Sequence, residues 1–290
     1  MQYVGNIFRP PSEAYSLIVQ VTVGCTHNAC TFCTMYKEKA FRLRPFEEVA
    51  ANLREARQHC RNAQRVFLAD GDALCLTTPK LLRLLDEVRE VFPECQRVGI
   101  YGRGAHILSK SEEELKSLRE AGLGIIYIGA ESGSEEVLRR INKGETAADI
   151  VKAVKKAEEA GIKTSVTFIS GMGGRELMAE HGEKTGEMIG QMGASYVGLL
   201  TLMLAQDAPI CADIESGKFV KLTPLETMEE LELILGQANC TVPTVFRSNH
   251  ASNYLSLGGT LPGDKDRLLA QIRGAKADTS LFKAEGLRRL

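Results

Sequence analysis

Short apolar runs rich in β-branched residues alternate along the chain with longer segments of helical periodicity. The apolar runs predict six strands, at residues 16–24, 65–73, 97–104, 124–132, 163–171 and 195–203. Between and after them, apolar residues recur every three or four positions. This periodicity predicts helices over 44–58, 79–92, 111–122, 134–144, 146–161 and 224–235, and another that runs through Met188.

Six βα units with nearly continuous apolar strands indicate a parallel sheet that is covered on both faces. Six units are too few for a complete eight-fold barrel. We therefore expect an α/β fold, a partial (βα)6 parallel barrel, with a flat doubly wound sheet as the alternative that periodicity leaves open.

The pattern changes from residue 240 onward, where it predicts a short strand, a loop and a helix that close the barrel. The last dozen residues are polar, and we expect them to be frayed. The predicted organisation is a lead-in over 1–15, a core barrel over 16–239 and a closing segment with its tail over 240–290.

Composition narrows the functional classes. The 290 residues carry a formal net charge of −1, which gives no support for broad nucleic-acid or membrane binding. The N-terminus does not resemble a secretory signal, and no run approaches the roughly 18 apolar residues of a membrane span. Eight cysteines in a chain of this length indicate metal or redox chemistry in a cytoplasmic protein rather than a disulfide scaffold.

Three of the cysteines, Cys25, Cys30 and Cys33, lie within nine residues, directly after the first predicted strand. In parallel α/β folds the carboxyl ends of the strands form the active face. Three thiolates on one loop can bind three irons of a cubane cluster and leave the fourth iron open. Zinc binding with His27 as a fourth ligand is an alternative, whereas a redox pair of Cys30 and Cys33 leaves Cys25 unexplained.

This segment resembles the radical S-adenosylmethionine (SAM) superfamily, whose members carry three cysteines after the first strand with an aromatic residue before the last. The usual spacing is CxxxCxxC, whereas this chain has CxxxxCxxC, with Phe32 in the aromatic position. The resemblance extends over about residues 16–203. It implies a 4Fe–4S cluster on the three cysteines and SAM as the second cofactor.

The resemblance also implies cofactor contacts at the ends of later strands. Asp70, Gly71 and Asp72 stand where the superfamily has a Gly-Gly-Glu-like stretch that contacts the methionyl amino group, and a carboxylate such as Asp72 suits an ammonium. Glu131 and Ser132 belong to a GxESG segment, as in coproporphyrinogen oxidases and methylthiotransferases, where the side chain contacts the ribose or methionyl part.

Twelve residues after Glu131, Lys143 stands where that branch pairs a basic residue with the cofactor carboxylate, with Arg139 and Arg140 as alternatives. Ser170 begins a glycine-rich turn of the kind that lines the adenine pocket in the family. A solvated basic helix face and an ordinary turn are the competing interpretations of these two segments.

Substrate contacts are less defined. The third strand lacks the acidic residue of some relatives, so Tyr101 and Arg103 are the candidates there. In the closing segment Arg247, Asn249 and His250 are candidate substrate contacts, although a plain polar loop would have the same composition. The remaining five cysteines have no close ligand spacing, which disfavours an auxiliary cluster.

The resemblance implies an oxidoreductase in which one electron from the reduced cluster cleaves SAM to a 5′-deoxyadenosyl radical, which abstracts hydrogen from an unidentified small-molecule or peptide substrate. Such an enzyme needs an external electron donor of the flavodoxin or ferredoxin type. A zinc-bearing structural protein and a non-catalytic cofactor-binding relative are the alternatives.

Overall fold

A computed structural model describes residues 1–289 of the chain. Ten strands lie at β1 (Leu17–Gln20), β2 (Thr22–Val23), β3 (Arg42–Leu43), β4 (Arg65–Ala69), β5 (Arg97–Tyr101), β6 (Leu123–Glu131), β7 (Lys163–Ser170), β8 (Tyr196–Thr201), β9 (Thr244–Ser248) and β10 (Leu257–Leu261).

Ten α-helices accompany them in these residues: α1 (Phe46–His59), α2 (Thr78–Val91), α3 (Gly104–Leu108), α4 (Glu112–Glu120), α5 (Glu135–Arg140), α6 (Ala147–Glu159), α7 (Met178–Met192), α8 (Cys211–Glu215), α9 (Pro224–Gln237) and α10 (Lys265–Ala277). None of these helices combines the length and the apolar character that a bilayer span requires.

Eight of the strands form one sheet in the order β1-β4-β5-β6-β7-β8-β9-β10, and β2 pairs with β3 in a separate two-stranded ribbon. Pairing is parallel from β1 to β4, β5 and β6 and from β7 through β8 to β9, and it is antiparallel between β9 and β10. The two outer strands, β1 and β10, are not neighbours, so the sheet is open. The predicted α/β class with a parallel sheet is confirmed, and an open sheet agrees with a partial barrel.

The described chain divides into two compact units. The first comprises residues 1–28, 35–128 and 156–164, and the second comprises residues 29–34, 129–155 and 165 onward. Each unit combines several separated ranges of the chain, whereas the predicted lead-in, core barrel and closing segment are consecutive ranges. That predicted organisation remains a prediction.

A buried carboxylate anchors the N-terminal segment of the first unit. Glu13 is fully buried, and its Oε1 accepts hydrogen bonds from Arg97 and from the Tyr127 hydroxyl at 2.5 Å. Tyr127 also packs edge-on against Phe67. Buried polar groups are tolerated when they are paired, and these contacts fix residues near position 13 against β5 and β6.

In the second unit α7 and α9 pack with their backbones close together. Gly182, Gly186 and Gly190 lie one turn apart on α7, and a Cβ at Gly186 would lie 2.3 Å from the carbonyl oxygen of Ile234 on α9. Because glycine costs about 1 kcal/mol of helix propensity relative to alanine, the close approach explains why these positions lack side chains.

Most of the residues that predict where helices begin are confirmed. Thr78 and Pro79 begin α2, and Ser111 forms the expected capping box at α4. The first predicted strand is divided into β1 and β2, because the chain leaves the large sheet after Gln20 to form the ribbon with β3.

Three expectations for the rest of the chain were incomplete or wrong. The short helices α3 and α8 were not predicted, nor was β10, which contains Gly258 and Gly259 and therefore lacks a strand signature. The expected frayed tail is wrong up to residue 289. Arg288 is buried, donates to the Ser252 carbonyl oxygen at 2.6 Å, and stacks over the Tyr254 ring.

Candidate functional site

The β2–β3 ribbon forms the base of the cysteine loop in the first unit. Val23 pairs with Arg42, and the chain then turns at Gly24, whose φ of 78° is left-handed. A side chain at Gly24 would also approach the backbone of Lys39 to 3.2 Å. Glycine is therefore required for two reasons immediately before Cys25, which is half-buried and not in a disulfide.

Asp70, the residue after β4, joins both ends of this loop. Its Oδ2 accepts hydrogen bonds from the Gly24 backbone N–H at 3.2 Å, from Gln20 Nε2 at 3.2 Å and from Lys39 Nζ at 2.9 Å. The Asp70 side chain is fully buried and that of Lys39 is 9% exposed, so the two charges compensate each other away from water. The predicted residue Asp70 thus has a clear structural role.

The other oxygen of Asp70 is poorly matched. Neither Asp70 Oδ1 nor the hydroxyl of the buried Tyr36 has a well-aligned hydrogen-bond partner, although the Tyr36 hydroxyl lies near enough to the Asp70 carboxylate for a hydrogen bond to add to its pKa shift. Burial, followed by the charge of Asp70, raises the pKa of Tyr36, so this phenol stays protonated. At Gly71 a side chain would collide with the Tyr36 ring. Buried polar atoms normally have partners, so the end of β4 has unused capacity that an ammonium or hydroxyl group would satisfy.

Asp72, in contrast, has a contact on each of its two carboxylate oxygens. Its Oδ2 accepts the hydroxyl of Thr26 and lies 2.8 Å from His106 Nδ1, and its Oδ1 accepts the backbone N–H of Arg103 at 3.3 Å. The structure therefore brings the predicted residues Asp72 and Arg103 together. His106 was missed by the sequence analysis, because its helix α3 has only five residues and no recognisable motif.

Another thiol outside the predicted set lies near Cys25. Burial and then Asp72 raise the pKa of Cys75 to about 12, and Cys25 contributes to the same shift. A thiol with this pKa is protonated at neutral pH. Cys75 can therefore serve as the control thiol for Cys25 in experiments that test which cysteines bind the cluster.

The tip of the loop, residues 29–34, belongs to the second unit and is held there by backbone contacts. The Thr31 N–H donates to the Ile141 carbonyl oxygen, and the Thr31 carbonyl accepts the Ile210 N–H, both at 3.0 Å. Phe32 packs against an apolar cluster that includes Val137 and Met172. The half-buried Cys30 and Cys33 flank this anchored stretch.

Glu131 and Lys143, which sequence analysis proposed separately, form a pair. Lys143 Nζ lies 3.1 Å from Glu131 Oε1, and both side chains are about one-tenth exposed. Glu131 ends β6 with a left-handed φ of 68°, a conformation that is strained for a residue other than glycine. A Cβ at Gly129 would lie 2.2 Å from the Glu131 carboxylate, so this glycine leaves room for it.

The charge of Lys143 is maintained in spite of burial. Burial lowers the pKa of Lys143, but the neighbouring Glu131 and Cys30 raise it by more, so the net shift is upward. The side chain is therefore an ammonium at neutral pH. Arg139 and Arg140, the alternatives to Lys143, instead form exposed ion pairs with Glu136 on their own helix.

Ser132 is part of an internal network. Its Oγ lies 2.7 Å from His181 Nδ1 on α7 and accepts the Ser134 N–H at 2.9 Å. The next residue, Gly133, lies so close to α7 that a Cβ would be 2.2 Å from the Lys184 carbonyl oxygen. The second glycine of the GxESG segment thus permits helix packing.

Ser170 is fixed in a similar way by α9. The Ser170 hydroxyl and the Gly171 N–H both donate to Glu230 Oε2, at 2.6 and 2.7 Å. Glu230 is fully buried, its Oε1 has no partner, and burial raises its pKa. Sequence analysis missed Glu230 and His181, because each lies on an amphipathic helix far along the chain.

The candidate substrate residues lie in two different environments. Arg247 and Asn249 line a surface cavity of about 410 Å³ at the β9–β10 edge, together with Arg267. His250 instead directs Nδ1 toward the hydroxyl of Ser252, at 2.9 Å. Burial lowers the pKa of His250, and Lys283 adds to that effect. Their role as substrate contacts stays a prediction.

The chemistry of the three cysteine thiols suits an iron–sulfur cluster, although the cysteine side chains do not converge on one common position. Within residues 1–289, no three His, Cys, Asp or Glu side chains are arranged to hold a metal ion. None of the eight cysteines forms a disulfide, and three of them lie on the one anchored loop. Thiolates are the usual ligands of such clusters, and the poorly paired polar atoms after β4 suit a polar organic cofactor.

Comparison with known proteins agrees with this chemistry. The Radical SAM superfamily model matches residues 19–181. A putative methylthiotransferase of Methanocaldococcus jannaschii is 26% identical over 162 residues, which cover 53% of this chain and 35% of that protein. The chain spans less than half the length of each of the curated relatives it matches.

Solved structures show the same fold. Coproporphyrinogen III oxidase of Escherichia coli, a radical SAM enzyme, superimposes with a TM-score of 0.55 at 19% identity, covering 77% of this chain and 52% of that one. The methyltransferase TsrM of Kitasatospora setae, solved with cobalamin and a [4Fe–4S] cluster, gives a TM-score of 0.53 at 21% identity. It covers 70% of this chain and 39% of that one.

Proposed function

Because the chain belongs to the radical SAM superfamily, we propose that it is an enzyme with a [4Fe–4S] cluster on Cys25, Cys30 and Cys33. When bound, the cluster and SAM supply reductive cleavage of the cofactor to a 5′-deoxyadenosyl radical that abstracts hydrogen from the substrate. The observation that carries the proposal is the set of three cysteines, none of them in a disulfide, on a loop whose ends are joined by the buried Asp70.

This chain's residues would bind and orient the cofactor. Asp70 Oδ1 and the Tyr36 hydroxyl, both buried and without a well-aligned partner, would suit the methionyl ammonium. Lys143 would offer its charge to the methionyl carboxylate, and Glu131 would accept hydrogen bonds from the ribose. In this arrangement Asp72, whose oxygens are engaged, supports the loop through Thr26 instead of contacting the cofactor directly.

The remaining cofactor residues would act through shape and rigidity. Phe32 would shield the cluster while packed on its apolar neighbours. Gly71 would allow close backbone approach, and Ser132 and Ser170 would hold the ends of β6 and β7 in place through His181 and Glu230.

The substrate, a small molecule or peptide, would meet Arg103 or the Arg247–Asn249–His250 segment. We further propose oxidoreductase chemistry in the cytoplasm, since eight cysteines without a disulfide and a reduced cluster suit a reducing compartment. An external flavodoxin or ferredoxin would supply the electron.

Anaerobic reconstitution tests the proposal. The reconstituted protein should contain about four irons and four sulfides per chain, and with dithionite and SAM it should release 5′-deoxyadenosine and methionine. Cys25→Ala should abolish both the iron content and the release, whereas Cys75→Ser, a nearby thiol, should keep both. A colourless protein with one zinc would contradict the proposal, and so would a cluster-loaded protein that binds SAM without cleaving it.

A further inference from the structure

Glu131, the last residue of β6, has a backbone conformation that is unfavourable for its residue type. Its φ of 68° lies in the left-handed region, which favours glycine. A residue with a Cβ stays in this region only where the surrounding structure enforces it. The ion pair with Lys143 acts on the far end of the side chain, whereas a backbone angle is fixed by contacts of the adjoining residues.

The three residues that follow Glu131 are all held by side chains of α7. Each makes one hydrogen bond to a different side chain, and the three pairs are Ser132 with His181 at 2.7 Å, Gly133 with Thr185 at 3.0 Å and Ser134 with Glu180 at 2.6 Å. His181 is fully buried and contacts the residue directly after Glu131. Its contact therefore acts nearest to the left-handed angle.

The partners of His181 determine where its ring hydrogens lie. Nε2 is 3.1 Å from the carbonyl oxygen of Ile169 on β7, and a carbonyl oxygen only accepts, so Nε2 carries a hydrogen. Nδ1 can then accept the hydroxyl of Ser132, whose oxygen in turn accepts the Ser134 N–H at 2.9 Å. The two ring nitrogens thus have separate contacts: Nδ1 holds the residue after Glu131, and Nε2 holds the ring against β7.

From this geometry we infer that His181 is a positioning residue for Glu131, because its Nδ1 holds Ser132 and so maintains the left-handed turn that directs the Glu131 carboxylate to Lys143. The inference rests on the proposed function, in which Glu131 contacts the ribose of SAM and Lys143 its carboxylate. Without the Nδ1 contact, the backbone at Glu131 relaxes and the carboxylate leaves its position 3.1 Å from Lys143. Cofactor affinity should then fall although no cysteine has changed.

Two substitutions separate the contacts of the ring. His181→Asn keeps an acceptor near the Nδ1 position for Ser132 and loses the donor to Ile169. His181→Gln keeps a donor near the Nε2 position and loses the acceptor for Ser132. Each variant lacks one hydrogen bond, so a general loss of stability affects both. Ser132→Ala removes the Nδ1 contact from its other side and checks His181→Gln independently.

The backbone preference at position 131 is measured in the cluster-free protein. Glu131→Gly and Glu131→Ala both lack the carboxylate, but only glycine favours a left-handed φ, so Glu131→Gly should have the higher urea midpoint. This difference should persist in the His181→Asn background and shrink or disappear in the His181→Gln and Ser132→Ala backgrounds. Asn142 is the control, since its φ of 52° is also left-handed and its side chain bonds to Ala29. The glycine–alanine difference at position 142 should not change in His181→Gln.

Affinity for SAM is the second measurement. In calorimetric titration of the cluster-loaded protein, the Kd for SAM should rise roughly three- to tenfold in His181→Gln, the range of one hydrogen bond, and should stay near the parent value in His181→Asn. In the Glu131→Ala background His181→Gln should cause no further loss, because no carboxylate remains to be positioned. Iron content should equal that of the parent in each variant.

An equal glycine preference at position 131 in the parent and in His181→Gln would overturn the inference. So would equal weakening of SAM binding by His181→Gln and His181→Asn. Failure of the proposed function gives a different result: the glycine preference follows the Nδ1 contact, but Glu131→Ala leaves the Kd for SAM unchanged. In that case His181 positions Glu131 as inferred, and the assignment of Glu131 to the cofactor is wrong.

Discussion

Buried polar side chains lie at the ends of β4, β6 and β7. These side chains differ in how many of their hydrogen-bonding atoms already have a partner. After β4 the atoms without a well-aligned partner belong to Asp70, the residue that follows the strand, and to Tyr36 beside it. At β6 and β7, Ser132 and Ser170 are fully engaged, and the unmatched oxygen belongs to the supporting Glu230. A buried polar residue in a matching motif is therefore not by itself a ligand contact, and unmet hydrogen-bonding capacity is the better indicator.

Removing the Asp70 carboxylate should have the largest effect. Asp70→Ala leaves Lys39 buried without its partner and removes the acceptor of the Gly24 N–H. The free energy of unfolding of the cluster-free protein should fall by about 3–5 kcal/mol, as expected when one partner of a buried ion pair is removed. Urea denaturation monitored by circular dichroism measures it.

Asp86→Ala is the matched control, because Asp86 pairs with Arg89 on the surface and both side chains are about 60% exposed. It should change stability by less than about 1 kcal/mol. Equal losses in the two variants would show that Asp70 does not organise the cysteine loop.

The Glu131–Lys143 pair tests the ligand-binding side of β6. Lys143→Met should weaken SAM binding by about 1.5–3 kcal/mol, the contribution of a hydrogen bond to a charged group, with iron content nearly unchanged. Glu131→Ala should do the same. Calorimetric titration of the cluster-loaded protein measures the affinity.

Arg139→Met is the control, since Arg139 is 72% exposed and pairs with Glu136. If Arg139→Met weakens binding as much as Lys143→Met, or if neither variant does so, the assignment of Lys143 to the cofactor carboxylate is wrong.

Glu230 should make stability depend on pH. Because burial raises the pKa of Glu230, the folded protein binds this proton more tightly than the unfolded chain. Its contribution to stability is therefore complete below the ordinary pKa of 4.5 and declines as the pH rises toward the folded value.

The neutral variant Glu230→Gln should lose this dependence, so that its unfolding free energy gains on the parent by up to about 1.4 kcal/mol per pH unit in that window. His181, whose Nε2 lies 3.9 Å from the carboxylate, is the nearby titratable group, and the measurement is repeated in His181→Gln. Parallel stability curves for parent and Glu230→Gln would mean that the pKa of Glu230 is the same in the folded and unfolded protein and that burial does not raise it.

The smallest effect is expected at Tyr36. Its hydroxyl has only a poorly aligned contact with Asp70, so Tyr36→Phe should change the stability of the ligand-free protein by less than about 0.5 kcal/mol or increase it. Tyr127→Phe removes a hydroxyl that donates to the buried Glu13 and should cost about 1–3 kcal/mol. Thermal unfolding compares the two. A loss at Tyr36 that matches the loss at Tyr127 would mean that its hydroxyl is satisfied in the folded protein.

The sequence was sufficient for those parts of the fold that local chemistry determines. Apolar runs located the six βα strands, and Ser111 and Pro79 marked helix starts. It was insufficient where tertiary contacts decide. Strand β10 has two glycines and exists because it pairs with β9, and the polar tail is ordered because Arg288 finds buried acceptors.

For the site, motifs identified the positions but not their partners. The pairing of Glu131 with Lys143 and the engagement of Asp72 by His106 depend on contacts between distant segments. Glu230 and His181 carry no motif at all, since their function is to support strand ends from helices α7 and α9. The assignment of Cys25, Cys30 and Cys33 to the cluster stays a prediction until iron is measured.

The glycine stripe on α7 has a consequence for anyone who tries to make this protein more heat-resistant. Replacing helical glycines by alanine is a routine stabilising substitution. Here it would work only at sites such as Gly236 and Gly274, where an added Cβ meets nothing within 4 Å. At Gly186 the same change would push α7 away from α9, the helix that carries Glu230. Any stability that Gly186→Ala gains from higher helix propensity would therefore be lost through disturbance of the turn after β7, which Glu230 holds in place.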